Sequence, residues 1–221
     1  MSRSGNATGE RDPALTDRAG ATRERILEAA CDLIAADGID EVRIARVAAR
    51  AGASTALVHH YFSTREELLA RALVHSFEVV GSQRFPERTD GAEPATAALA
   101  QALRSCLPEP GRAERDWVLW VELWLRAARD PGLRPVAADL YRRYHEWLAA
   151  AIRAGVESGE FDRVDPERLA DHAMALLDGF GVRALVGDPE ITLEVAARSV
   201  AAILGRELGI DARTLAPDLG G

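Results

Sequence analysis

The stretch from residue 43 to residue 65, RIARVAARAGASTALVHHYFSTR, constrains the fold more than any other part of the chain. Ile44, Val47, Ala48 and Ala51 recur at helical spacing, Gly52 breaks the pattern, and Ser54 is a good N-cap for a second helical segment, Thr55 to about Phe62. Two short helices around a three- to four-residue turn with a glycine form a helix-turn-helix, which lays its second helix in a major groove. The stretch carries four arginines and no acid, inside a chain of formal net charge −8. An acidic protein that keeps one segment purely cationic has reserved it for a polyanion, and the geometry points to duplex DNA.

Nearly half the residues are hydrophobic (48%) and 28% are charged, an ordinary globular composition. All 27 basic residues are arginine, so every cationic contact is a planar fork suited to phosphate and guanine edges. Cys31 and Cys106 match no metal-ligand spacing and read as reduced core thiols. His59 and His60 are adjacent on a helix and point about 100° apart, so they do not converge on a metal, and no cofactor is expected. No apolar run approaches the ~20 residues that span a bilayer. The polar first 20 residues lack the apolar core of a signal peptide. The expectation is a soluble, cytoplasmic protein with no membrane partner.

The remaining pattern is helical throughout, with no period-two segment, which predicts an all-α fold of about nine helices. The first covers about Thr22 to Asp37 and ends at Gly38. A fourth, capped by Ser63 or Thr64, runs to about Val80. Five more follow: Ala95 to Cys106, Glu114 to Arg129, Arg134 to Ser158, Pro166 to Val186 and Ile191 to Leu208. The expected organisation is a flexible tail over 1–20, a three-helix DNA-binding domain over 21–68, a helical ligand-binding and dimerisation domain over 69–210, and a C-terminal tail over 211–221.

Within the second short helix of the motif, Val58 and Phe62 lie four apart and should face inward. Thr55, Ala56, His59 and His60 then face outward, with Leu57 and Tyr61 on the flanks. Arg43, Arg46, Arg50 and Arg65 frame this small, polar surface with charge suited to phosphates. The segments TRERILEAACDLIAADGID, VAARAGAS and LVHHYFSTREELL, with the spacing of Gly38, Ala48, Gly52, Ser54, Tyr61, Phe62, Glu67 and Leu68, resemble the DNA-binding domain of the TetR family of bacterial transcriptional repressors. The resemblance implies that Thr55, Ala56, Leu57, His59 and His60 lie at the bases. It places Tyr61 and Arg65 at the phosphates, while Ser54, Arg43 and Arg46 are further candidate DNA contacts by their position beside the motif. Arg43 stands where the family usually has a capping Thr or Ser, and Ala45 replaces a commonly polar position.

The segment DWVLWVELWLRAA is apolar nearly all round, which calls for central burial, and it sets Trp117, Trp120 and Trp124 on one stripe. Glu122 on that helix needs a partner, either an arginine such as Arg126 or Arg142 or a ligand group. With Tyr141, His145, His172 and Asp178 these residues are the candidate ligand contacts. The segments WVELWLRAARDPGLRP and AGVESGEFDRVDPERLADHAMALLDGFGVRALVGDP also resemble the C-terminal domain of BetI-like members of the family. That implies a homodimer closed by the last two long helices, through Ala173, Leu176, Leu177, Phe180, Val195, Val200, Ile203 and Leu204. Gly179 and Gly181 either allow close helix approach or mark a kink. The resemblance implies a repressor that reads a pseudo-palindromic operator and is released by a small-molecule inducer held between the fourth and eighth helices. No nucleophile motif or phosphate-cradling loop argues for an enzyme. The other reading is a helical small-molecule-binding or scaffold dimer without DNA binding.

Overall fold

The computed structural model describes residues 13–84 and 94–216, with side-chain surroundings over 20–76 and 94–216. Residues 1–12, 85–93 and 217–221, which include most of the N-terminal tail expected over 1–20, lie outside the described residues. The described chain is helical, with no strand among the described residues. It divides into two compact units, the first ending at His75 and the second beginning at Ser76. The division therefore falls within the fourth helix rather than at residue 68.

The first unit holds α1 (Pro13–Asp37), a 3-10 turn (Ile39–Glu41), α2 (Ile44–Ala51), α3 (Thr55–Tyr61) and the start of α4 (Arg65–Arg84). Helix α1 begins well before Thr22, so part of the expected tail is helical. Gly38 takes up φ 82° at the end of α1, and Gly52 takes up φ 62° at the end of α2, conformations that a side chain would oppose. Between α2 and α3 the Ser54 hydroxyl accepts the Leu57 amide at 3.1 Å. Thr64 Oγ1 accepts the Glu67 amide at 3.0 Å while Glu67 accepts the Ser63 amide at 2.8 Å, a reciprocal cap at the start of α4. Ile26, Ile34, Val47, Val58, Phe62, Leu68 and Leu73 close the core. The Arg23 guanidinium sits 5.7 Å from the Phe62 ring centroid.

The second unit contains α5 (Ala95–Ser105), α6 (Arg112–Arg129), α7 (Arg134–Ser158), α8 (Pro166–Leu185), α9 (Leu193–Leu208) and α10 (Ala212–Leu215). Helix α7 packs against α5, α6 and α8, and α8 packs against α9. Leu99, Leu148, Ile152, Ala173, Leu177 and Leu204 fill the interior. The expected C-terminal tail is corrected: Asp211 caps α10, and Leu215 is buried in the core. Gly205 makes this docking possible, because a Cβ there would stand 3.1 Å from the Ala212 Cα and the Ile210 carbonyl oxygen. Helix α6 is less enclosed than its composition suggests, since Leu125 is 49% exposed.

Candidate DNA interface and effector site

The α3 surface has the expected orientation. Val58 and Phe62 are buried, while Thr55, Ala56, His59 and His60 are exposed and Leu57 and Tyr61 are half-buried. The His60 and Tyr61 rings meet edge to face at 5.3 Å. Ser54 spends its hydroxyl on the helix cap, so it positions α3 as well as bordering it.

Each of the four framing arginines already holds an internal partner. Arg43 donates to the Asp40 carbonyl at 2.7 Å, in place of the side-chain cap that a Thr or Ser would make. Arg46 pairs with Asp37 at 2.8 Å and Arg50 with Asp32 at 2.7 Å, both acids being on α1. These exposed pairs are worth little individually. Arg65 differs from them. Its guanidinium donates to the carbonyls of Val42 (2.7 Å), Ile39 (2.6 Å) and Asp40 (3.0 Å), clamping the start of α4 to the turn before α2. Sequence spacing shows a cationic frame; the packing makes three of these arginines staples to α1 or the 3-10 turn and Arg65 a buried-side clamp.

In the second unit the tryptophan stripe and α7 come together. The Trp120 and Trp124 ring centroids are 5.5 Å apart, and Tyr141 lies edge-on to Trp120 at 5.4 Å and stacks on Trp124 at 6.1 Å with 9° between planes. Trp117 is buried at the end of this cluster, 6.3 Å from Trp124, and its indole N–H donates to the Cys106 carbonyl at 3.2 Å. The Tyr141 hydroxyl donates to Asp178 Oδ2 at 2.9 Å. Burial pushes the Asp178 carboxyl up to about 6, against the opposing effect of that hydrogen bond. Burial, followed by the nearby Asp178 charge, pushes the Tyr141 phenol well above its usual range.

The other expected ligand residues stand apart. His145 faces the Glu167 carbonyl at 3.0 Å and Asp171 at 3.4 Å, along the seam of α7 and α8. His172 is exposed on α8, and Glu122 is half-buried. Arg142, one expected partner of Glu122, instead pairs with Asp139 and Glu146 on its own helix.

The eight expected dimer residues also separate into two sets. Ala173, Leu177, Val200 and Leu204 are at most 1% exposed and belong to the core of their own unit. Leu177 and Val200 line a cleft of about 300 Å³ shared with Leu103, Leu107 and Leu215. They cannot also face a partner, because helical residues three or four apart point the same way, here inward. Leu176, Phe180 and Val195 are half-buried and Ile203 is 38% exposed, which leaves these four on the outer face of α8 and α9. Of the two readings of Gly181, close approach holds, and the approach is by α6: the Trp117 ring occupies the space its side chain would take.

A helix-turn-helix unit joined to a helical unit with a half-buried aromatic cluster is the build of a ligand-responsive, DNA-binding regulator. Residues 26–72 match the profile of bacterial regulatory proteins of the tetR family, and residues 95–209 match that of the C-terminal part of BetI-type transcriptional repressors. The chain belongs to the tetR family, with a BetI-type C-terminal domain. It is 27% identical over 178 residues to the HTH-type transcriptional regulator BetI of Rhizobium meliloti (strain 1021), covering 79% of this chain and 83% of that protein. A transcriptional regulator from Saccharomonospora viridis, crystallised in complex with choline, superposes with a TM-score of 0.77 at 28% identity, over 86% of this chain and 98% of that one. A TetR-family regulator from Rhodococcus sp. gives a TM-score of 0.71 at 27% identity, over 86% and 99%. Among the described residues no helix is long and apolar enough to cross a membrane. The protein is a DNA-binding, ligand-responsive transcriptional regulator.

Proposed function

We propose that the chain is a cytoplasmic, homodimeric repressor that binds a pseudo-palindromic operator and leaves it when a small cationic effector binds the second unit. The exposed face of α3 carries the DNA half of this reading. Thr55, Ala56, Leu57, His59 and His60 meet base edges, the two apolar ones through thymine methyls, and Tyr61 and Arg43 hold phosphates. Arg46 reaches a phosphate only by giving up Asp37, and Arg65 acts by fixing the frame. Two copies pair through the outer face of α8 and α9, at Leu176, Phe180, Val195 and Ile203. Such a dimer reads half-sites about one helical turn apart or a multiple of it.

The gathering of Trp120, Trp124 and Tyr141 beside Asp178 carries the effector half. Aromatic faces attract a quaternary ammonium through their quadrupoles, and a neighbouring carboxylate adds the opposite charge. The similar Saccharomonospora viridis regulator was crystallised with choline, a molecule of this chemistry. The effector need only favour the DNA-free conformation by a few kcal/mol to release the operator.

A gel shift on the DNA upstream of the protein's own gene tests the reading. The wild type should shift it, lose the shift as salt rises, and lose it again on adding choline. Binding by His59→Ala/Tyr61→Ala as tight as wild type removes α3 from the interface. A monomer at micromolar concentration in light scattering removes the dimer. A salt-insensitive protein that still binds choline is a small-molecule binder rather than a repressor.

A further inference from the structure

Asp178 is an unusual wall for an aromatic cluster. Among the described residues its hydrogen bond is to the Tyr141 hydroxyl, an uncharged donor. Its neighbours one turn away on α8 are Met174, Ala175, Gly181 and Val182, all without charge. Among the described residues, the charged groups that flank it on the neighbouring helices are engaged elsewhere. Arg142 on α7 pairs with Asp139 and Glu146, His145 faces Glu167 and Asp171, and Arg183 on α8 pairs with Asp188. On α6, Glu122 and Arg126 are half-buried with interactions of their own, and the Trp120 indole bonds to Tyr141. A partly buried carboxylate that a phenol alone compensates among the described residues is unfavourable as an ion, and its free energy improves when a cation arrives or when it takes up a proton.

We infer that Asp178 is the counter-charge of the Trp120–Trp124–Tyr141 cluster and that its protonation gates the site, so that the protein separates a quaternary ammonium from a neutral molecule of the same shape. This rests on the cationic-effector reading above and adds the residue that decides selectivity. The aromatic rings alone discriminate modestly, because dispersion and burial favour a tert-butyl group about as well as a trimethylammonium. The carboxylate supplies the difference. A cation binds the ionised form, so below the carboxyl's own range binding must first expel a proton, whereas a neutral isostere meets no such requirement. Tyr141 is the hinge of this arrangement, since it stacks on Trp124 and holds the carboxylate oxygen at once.

Calorimetry with choline and its uncharged isostere 3,3-dimethylbutan-1-ol, at pH 7.5 and pH 5, tests this in the full chain. With the carboxyl at about 6, choline should bind about tenfold more weakly at pH 5 than at pH 7.5. Runs near pH 6 in buffers of different ionisation enthalpy should show proton release on choline binding. The isostere should bind equally or more tightly at pH 5 and release no proton. Asp178→Asn keeps the side-chain shape and an acceptor for Tyr141. It should weaken choline about tenfold or more at pH 7.5, abolish the pH dependence and leave the isostere bound, which also reports a folded site. Choline affinity that ignores both pH and Asp178→Asn overturns this inference while leaving the cationic effector intact. A wild type that binds neither probe at either pH overturns the effector reading and this inference together.

Discussion

The Trp117 ring occupies the place where a side chain on Gly181 would begin: a Cβ on that glycine would stand 2.3 Å from Trp117 Cη2 and Cζ2. The glycine therefore serves packing within one chain, letting α6 lay its buried indole against α8. The indole is also anchored by its hydrogen bond to the Cys106 carbonyl, so it cannot simply swing aside.

Gly181→Ala should consequently overpack this contact and lower stability by about 1–3 kcal/mol. Urea unfolding followed by fluorescence measures it. Trp117→Phe in the same chain should recover part of the loss, making the two substitutions less than additive. A Gly181→Ala protein as stable as wild type would show that the indole has another place to go.

Arg65→Lys should destabilise the first unit by about 2 kcal/mol without any DNA present. An ammonium cannot reproduce the fork that reaches the Ile39, Asp40 and Val42 carbonyls together, and buried-side acceptors are then left unsatisfied. Thermal unfolding of the free protein is the measurement. Unchanged unfolding with weakened DNA binding would make Arg65 a phosphate contact and refute the clamp.

Glu160 joins the start of α5 to the end of α7. Its carboxylate accepts the Thr96 amide at 3.0 Å, the Ala95 amide at 2.9 Å and the Thr96 hydroxyl at 3.0 Å. These bonds, the Thr96 amide foremost, hold its carboxyl below the usual range. A lowered carboxyl binds fewer protons folded than unfolded. Its contribution is therefore complete above the unfolded value of 4.5 and lost as pH falls through the lower, folded one. Glu160→Gln should cost about 1 kcal/mol at pH 7, as for a lost helix cap on a partly hydrated group. The gap to wild type should narrow steadily below pH 4.5. A gap independent of pH would mean that the charge contributes nothing.

Much of this architecture was legible in the chain. Helix α7 runs over the expected residues, and α3 turns Val58 and Phe62 inward as their spacing requires. Ser54 caps α3 because a hydroxyl beside a helix start reaches only its own next turn. The short helix α10 escaped, since four residues carry too little periodicity to stand out from a polar C-terminus. The candidate site was legible as a set of residue types and not as an arrangement. Trp120, Trp124, Tyr141 and Asp178 converge, but His145, equally plausible by position, is held by Glu167 and Asp171.

What could be read from the residues in order is local: helix starts and stops, the glycine turns, the helix-turn-helix and the inward stripe of each helix. All of these depend on bonds and contacts within about four residues. Which charges are engaged, and which apolar residues face out, depends instead on how the helices come together. Arg50 meets Asp32 across 18 positions, Arg65 meets Ile39 across 26, and Tyr141 meets Asp178 across 37. Such partners are chosen by how helices pack, and a helix of given periodicity can pack many ways. The interior position of Leu177 and Val200, the slot at Gly181 and the burial that raises Asp178 all follow from that packing.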